Sequence, residues 1–124
     1  MYLLDTHILL WALYDSAKLP ERIRYELSRT PCVISIATLW ELSIKHSLGK
    51  LELQQSVVEI AEKCREHGIR ILNITPEHCL EAEHLPFIHR DPFDRILIAQ
   101  ARCDKLTLVT MDQFIQQYQV PTLS

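Results

Sequence analysis

Short apolar runs, Tyr2-Leu-Leu, Cys32-Val-Ile-Ser-Ile36, Arg70-Ile-Leu-Asn-Ile74 and Leu106-Thr-Leu-Val-Thr110, recur along this chain between longer segments whose apolar residues follow helical spacing. None shows the alternation of a sheet with one wet face. The strands are therefore expected to be buried on both sides, with the intervening helices as their cover. The architecture implied is α/β, a three-layer α/β/α sandwich around a central, mainly parallel sheet. Helices are predicted after the first strand through Ile8 to Leu13, from Pro20 at a first helical position to Arg29, and over Ala37 to Leu48, Gln55 to His67, Pro76 to His84 and Pro92 to Lys105. Gly49 and Gly68 fall just past two of these helices, where a left-handed residue closes the last turn. A final short helix is predicted over Gln113 to Tyr118, with an edge strand from Val120 to Leu123.

The chain has 124 residues, which suits one domain over 1–124 that buries about two thirds of its unfolded surface and folds without metal or disulfide staples. With Gly49 and Gly68 as its two glycines, it can build neither a phosphate-cradling P-loop nor a Gly-rich dinucleotide turn. Cys32, Cys64, Cys79 and Cys103 form no C-x-x-C pair, and no signal-like segment precedes them, so free thiols in a reducing cytoplasm are expected. No uncharged run is long enough to cross a membrane. The net charge of −3 argues by itself against a polyanionic partner.

In sheets of this kind ligands bind beyond the carboxyl ends of the strands, so acids directly after strands carry the most information. Asp5 ends the first strand and serves equally well as a helix cap or as part of a site, with Thr6 as an alternative cap. Glu41 falls inside the stripe Ala37, Trp40, Ile44 and Leu48 and is aimed at the interior, although pairing with Lys45 one turn on would also account for it. Asp91 precedes a proline and reads as the N-cap of the next helix. Asp94 shares a face with Leu97, Ile98 and Ala101 and begins a buried stripe, where a carboxylate needs a partner. Asp112 follows the strand that ends at Thr110. Asp15 and Asp104 read as surface residues.

If Asp5, Glu41, Asp94 and Asp112 converge, they cannot all stay ionised in an empty pocket, and a hard divalent cation resolves the repulsion. Oxygen ligands favour Mg²⁺ or Mn²⁺ over zinc. Two such ions would turn −3 into roughly +1, which removes the objection to a nucleic-acid substrate. Lys45, Lys50, Arg90 and Arg95 lie near the acids in sequence and are candidates to hold phosphates. His7 and His89 are also close, but as single histidines they read as structural, and no His–Cys set has zinc-site spacing.

The motifs Tyr2-Leu-Leu-Asp5-Thr-His, Trp40-Glu41-Leu-Ser-Ile-Lys45, His89-Arg-Asp-Pro-Phe-Asp94-Arg-Ile-Leu-Ile-Ala-Gln-Ala101 and Thr110-Met-Asp112 resemble, in order, the acidic motifs of PIN-domain ribonucleases, and among them the VapC-like toxins of toxin–antitoxin pairs. The resemblance spans nearly the whole chain. It implies a Mg²⁺- or Mn²⁺-dependent endoribonuclease with Asp5, Glu41, Asp94 and Asp112 as metal ligands, Thr110 as a positioning group, a homodimer, and a small antitoxin whose tail enters the site. At the third motif Asp91 and Asp94 compete for the ligand role, and the buried-stripe argument selects Asp94. An aspartyl-phosphate phosphatase would want an acid where His7 stands. The rival reading from another class is a catalytically silent PIN-like binding or scaffold module whose acids only cap helices.

Overall fold

The computed structural model describes residues 1–124. Five strands, β1 (Tyr2–Leu4), β2 (Cys32–Ser35), β3 (Arg70–Leu72), β4 (Thr107–Val109) and β5 (Thr122–Leu123), form one sheet in the order β3-β2-β1-β4-β5. Every neighbouring pair is parallel. Leu3, Val33 and Leu108 point to one face, and Leu4, Ile34 and Val109 point to the other.

Six helices supply the cover: α1 (Thr6–Tyr14), α2 (Glu21–Arg29), α3 (Ile36–Ser47), α4 (Val57–Glu66), α5 (Pro76–His84) and α6 (Pro92–Asp104). Ile8 and Leu9 of α1, Ile23 of α2, Leu39 and Leu42 of α3 and Ile60 of α4 pack with Leu4 and Ile34 into one core. Leu97, Ile98 and Ala101 of α6 pack with Leu3, Val33 and Leu108 into the other. The three-layer α/β/α sandwich expected from the sequence is thus present, with a sheet that is wholly parallel.

Local chemistry sets most of the boundaries. Ser56 and Thr75 open α4 and α5 with reciprocal capping boxes, and Asp91 caps α6 by accepting from the Phe93 N–H at 2.8 Å. Gly49 and Gly68 adopt φ of 71° and 74°, as their positions past α3 and α4 require. Pro20 stands one residue before α2 as its N-cap, and the segment from Gln113 makes only a 3₁₀ turn over Ile115–Gln117 instead of the predicted helix. Two further expectations are corrected. Trp40 and Leu48 are 63% and 61% exposed, so the α3 stripe is centred instead on Ala37, Thr38, Leu39, Glu41 and Leu42, because α3 is wedged between the sheet and α6. Asp104 is not a plain surface acid, since it accepts from the buried His78 Nε2 at 3.2 Å.

The strand order reverses direction between β1 and β4. At such a switch point the helices leaving the two strands diverge to opposite faces and open a crevice at the carboxyl ends. Asp5 follows β1, and Asp112 follows β4 by three residues, so both acids are delivered to the rim of that crevice.

Candidate functional site

A cleft of ≈ 530 Å³ occupies the crevice and is lined by Asp5, Glu41, Asp91, Asp94 and Asp112 together with Thr6, His7, Ile8, Trp11, Lys45, His89 and Met111. The four acids singled out in the sequence therefore meet in one place, although they come from the ends of β1 and β4 and from α3 and α6. A larger share of apolar residues lines another hollow of ≈ 490 Å³, between α2 and the amino ends of the strands, but no acid lies in it.

Asp5 is 7% exposed and caps α1, its Oδ1 accepting from the Ile8 N–H at 2.9 Å. The carboxylate that caps the helix also lines the cleft. Burial pushes the Asp5 carboxyl above the usual range, while the Thr110 hydroxyl and the Ile8 N–H oppose that shift. Thr6 is not the cap. Its hydroxyl donates instead to Glu41 Oε1 at 2.5 Å, and the Lys45 Nζ holds Oε2 at 2.6 Å. Glu41 is 5% exposed, so the lysine pair and the inward placement anticipated as alternatives occur together. The Glu41 hydrogen bond in turn raises the Lys45 ammonium above its ordinary pKa.

Asp94 sits in the first turn of α6. Burial first, then the charge of Asp91, with Glu41 and Asp112 adding to them, push its carboxyl up to about 7, while His89 favours the charged form. Asp112 accepts from the Phe114 and Ile115 N–H groups at 2.7 and 3.3 Å and so caps the 3₁₀ turn, while its own N–H donates to Thr110 Oγ1 at 3.0 Å. Thr110 is fully buried and ties the end of β4 to the acid two residues on.

His89, read from the sequence as a structural histidine, stands in the cleft. Its Nε2 lies 2.9 Å from Asp94 Oδ2 and 3.2 Å from Asp112 Oδ2, and the ligand atoms of these three residues all fall within 4.8 Å of one another. A single histidine in a loop carries no periodic signal, so only its position three residues before a proline at a helix start hinted at a fixed place. Arg95, expected to hold phosphate, does not. It is 8% exposed, and its guanidinium donates to the carbonyls of Ala82, Leu85, Pro86 and His89 at 2.8 to 3.3 Å. It faces away from the cleft because those carbonyls, at the end of α5 and in the loop after it, converge on a buried donor. Lys45 alone of the four expected basic residues lines the cleft, and Lys50 and Arg90 are exposed outside its lining.

Five carboxylates against one lysine, in a crevice that raises the pKa of two of them, make a site short of positive charge. The donor set is dominated by hard oxygens, which suits a divalent cation of the Mg²⁺ or Mn²⁺ type. The charge deficit and the donor chemistry agree.

Comparison with known proteins places these features in context. A family model described as PIN domain matches residues 2–120. No curated protein matches the chain. Among solved structures, the chain is similar to a toxin–antitoxin complex from Klebsiella pneumoniae, with a TM-score of 0.67 and 19% identity over 100% of this chain and 97% of that one. It is similar to FitAcB from Neisseria gonorrhoeae, with a TM-score of 0.69 and 19% identity over 100% and 97% of the two chains. It is also similar to VapC20 of Mycobacterium tuberculosis, described as a sarcin-ricin loop cleaving toxin, with a TM-score of 0.64 and 16% identity over 97% and 96%. At these identities the likeness is one of fold.

Proposed function

The chain belongs to the PIN domain family, and from that premise we propose that it is a metal-dependent endoribonuclease, the toxin of a toxin–antitoxin pair. The observation that carries this reading is the convergence of Asp5, Glu41, Asp94 and Asp112, drawn from four separate elements, on one crevice at the switch point of the sheet. Helix capping accounts for Asp5 and Asp112 but not for the buried Glu41 and the half-buried Asp94, which cap nothing and are taken from water at a cost.

The residues fit a Mg²⁺ or Mn²⁺ ion, which Asp5, Glu41, Asp94 and Asp112 would hold. When bound, such an ion supplies Lewis acidity and positive charge for hydrolysis of a phosphodiester by water. The chain's own groups do the rest. Lys45 holds Glu41 in place through its 2.6 Å contact. Thr110 fixes the backbone of Asp112, and the Ile8 N–H fixes the rotation of Asp5. No side-chain nucleophile is called for, since no serine, cysteine or threonine stands against a free base in the cleft.

An RNA substrate, a cognate antitoxin and a homodimer belong to the same proposal. Structural neighbours that are toxin–antitoxin complexes support the antitoxin, and the exposed Trp40 and Val58, 63% and 69% accessible, support a second copy on that face. Free thiols at all four cysteines and the lack of any helix long and apolar enough to cross a membrane fit a cytoplasmic setting.

Incubating the purified chain with RNA and Mn²⁺ or Mg²⁺ tests the reading. Cleavage is expected, it should stop with a chelator, and Asp5→Asn or Asp94→Asn should slow it by at least about a hundredfold with the circular-dichroism spectrum unchanged. Undiminished cleavage in both variants would assign the activity elsewhere. No cleavage together with no metal binding would leave the silent scaffold as the better account.

A further inference from the structure

The His89, Asp94 and Asp112 trio has the spacing of a nitrogen-and-oxygen metal site. The hydrogen bond on the other side of the imidazole argues against that use. Asp91 N–H donates to His89 Nδ1 at 3.2 Å. A backbone N–H can only donate, so Nδ1 is the acceptor nitrogen and the ring proton resides on Nε2. A metal-ligating histidine is arranged the other way round, with its free ring N–H donating outward while the bare nitrogen meets the ion.

We infer that His89 is a positioning residue whose Nε2–H binds Asp112 and lies against Asp94, leaving the site an all-oxygen one. The inference rests on the metal reading above and goes beyond it by giving a role to a residue outside the four acids. The ring N–H donates to Asp112 Oδ2 at 3.2 Å, and Nε2 also stands 2.9 Å from Asp94 Oδ2, within ion-pair distance. That donor offsets repulsion between two acids brought in from α6 and from the end of β4, and it holds Asp112 through Oδ2 while the Phe114 and Ile115 N–H groups hold Oδ1.

His89 is itself held. The His89 N–H donates to the Tyr118 hydroxyl at 2.7 Å, and that hydroxyl donates to the Pro86 carbonyl at 2.7 Å. Arg95 grips the Pro86 and His89 carbonyls from the interior. The ring therefore reaches the acids from a loop tied at both ends. Asp91 has two duties, since its carboxylate caps α6 while its N–H fixes the His89 tautomer.

Two measurements on the whole chain test the assignment. The first is long-range ¹H–¹⁵N correlation NMR at mildly alkaline pH, without metal and with Mg²⁺. The Nε2–H tautomer is expected for His89 in both, and an Nδ1–H tautomer in either would overturn the proposal. The second is Mn²⁺ affinity by calorimetry, with pulsed electron paramagnetic resonance of the bound ion. His89→Ala should weaken binding by about 10–100-fold. His89→Gln, which offers an N–H at a similar reach, should recover most of that loss. Nitrogen coupling to Mn²⁺ that disappears in His89→Gln, or undiminished affinity in His89→Ala, would make the residue a ligand or a bystander. Should the unaltered chain bind no Mn²⁺ at all, the nuclease reading fails, and the NMR result still decides the tautomer.

Discussion

At the scale of single residues, Asp94 shows how a site sets function against stability. Its carboxyl is pushed up to about 7 by burial and by Asp91, against an ordinary value near 3.8. Between those values the folded chain holds a proton that the unfolded chain has lost. Stability from this group is therefore fully present below about pH 4 and lost as pH rises toward 7, with a limiting slope of about 1.4 kcal/mol per pH unit. In a chelator-containing buffer, urea denaturation of Asp94→Asn should lack this decline and show greater stability than the parent chain at neutral pH. An unaltered pH dependence in that variant would mean that another group titrates. Asp94 was legible in the sequence because it opens an apolar helical stripe. His89 was not, because the chemistry of its ring depends on a backbone N–H two residues on and on two acids from other segments.

At the scale of elements, periodicity and caps located nearly every helix, and α5 was placed to the residue by Pro76 at its start. The helical face was harder. On α3 the residues Ala37, Trp40, Ile44 and Leu48 and the residues Ala37, Thr38, Leu39, Glu41 and Leu42 are both plausible arcs, and contact with the sheet and α6 selects the second. Arg95 is the connection between element and site. Four carbonyls from the end of α5 and the following loop converge on its guanidinium, and the same loop carries His89. Arg95→Ala should destabilise the chain by roughly 2–4 kcal/mol in chemical denaturation, because it removes a buried guanidinium that donates to four carbonyls. Hydrogen exchange should also quicken around residues 85–91. A change below about half a kcal/mol would mean that water replaces the guanidinium without loss. Gly68→Ala, by contrast, should cost only about 1 kcal/mol, since nothing lies within 4 Å of the added carbon and only the positive φ resists it.

At the scale of the whole molecule, the crevice exists because the strand order turns back between β1 and β4, and the metal proposed to bind there would couple four elements at once. Anything that binds the folded chain alone raises its stability, by about 2.7 kcal/mol at a hundredfold excess over Kd. Mn²⁺ should thus raise the melting temperature by several degrees, and the rise should vanish in Asp94→Asn. An equal rise in that variant would place the ion elsewhere. From the residues in order came the alternating elements, the parallel sandwich and four acids at strand ends or on a helix, since these follow from local spacing and from rules on burying apolar faces. Strand order, the arc of α3 that turns inward, the seating of Arg95 under a loop and the placing of His89 against two acids were decided only by the folded chain. Each depends on which distant segments become neighbours, and no local pattern of side chains encodes that.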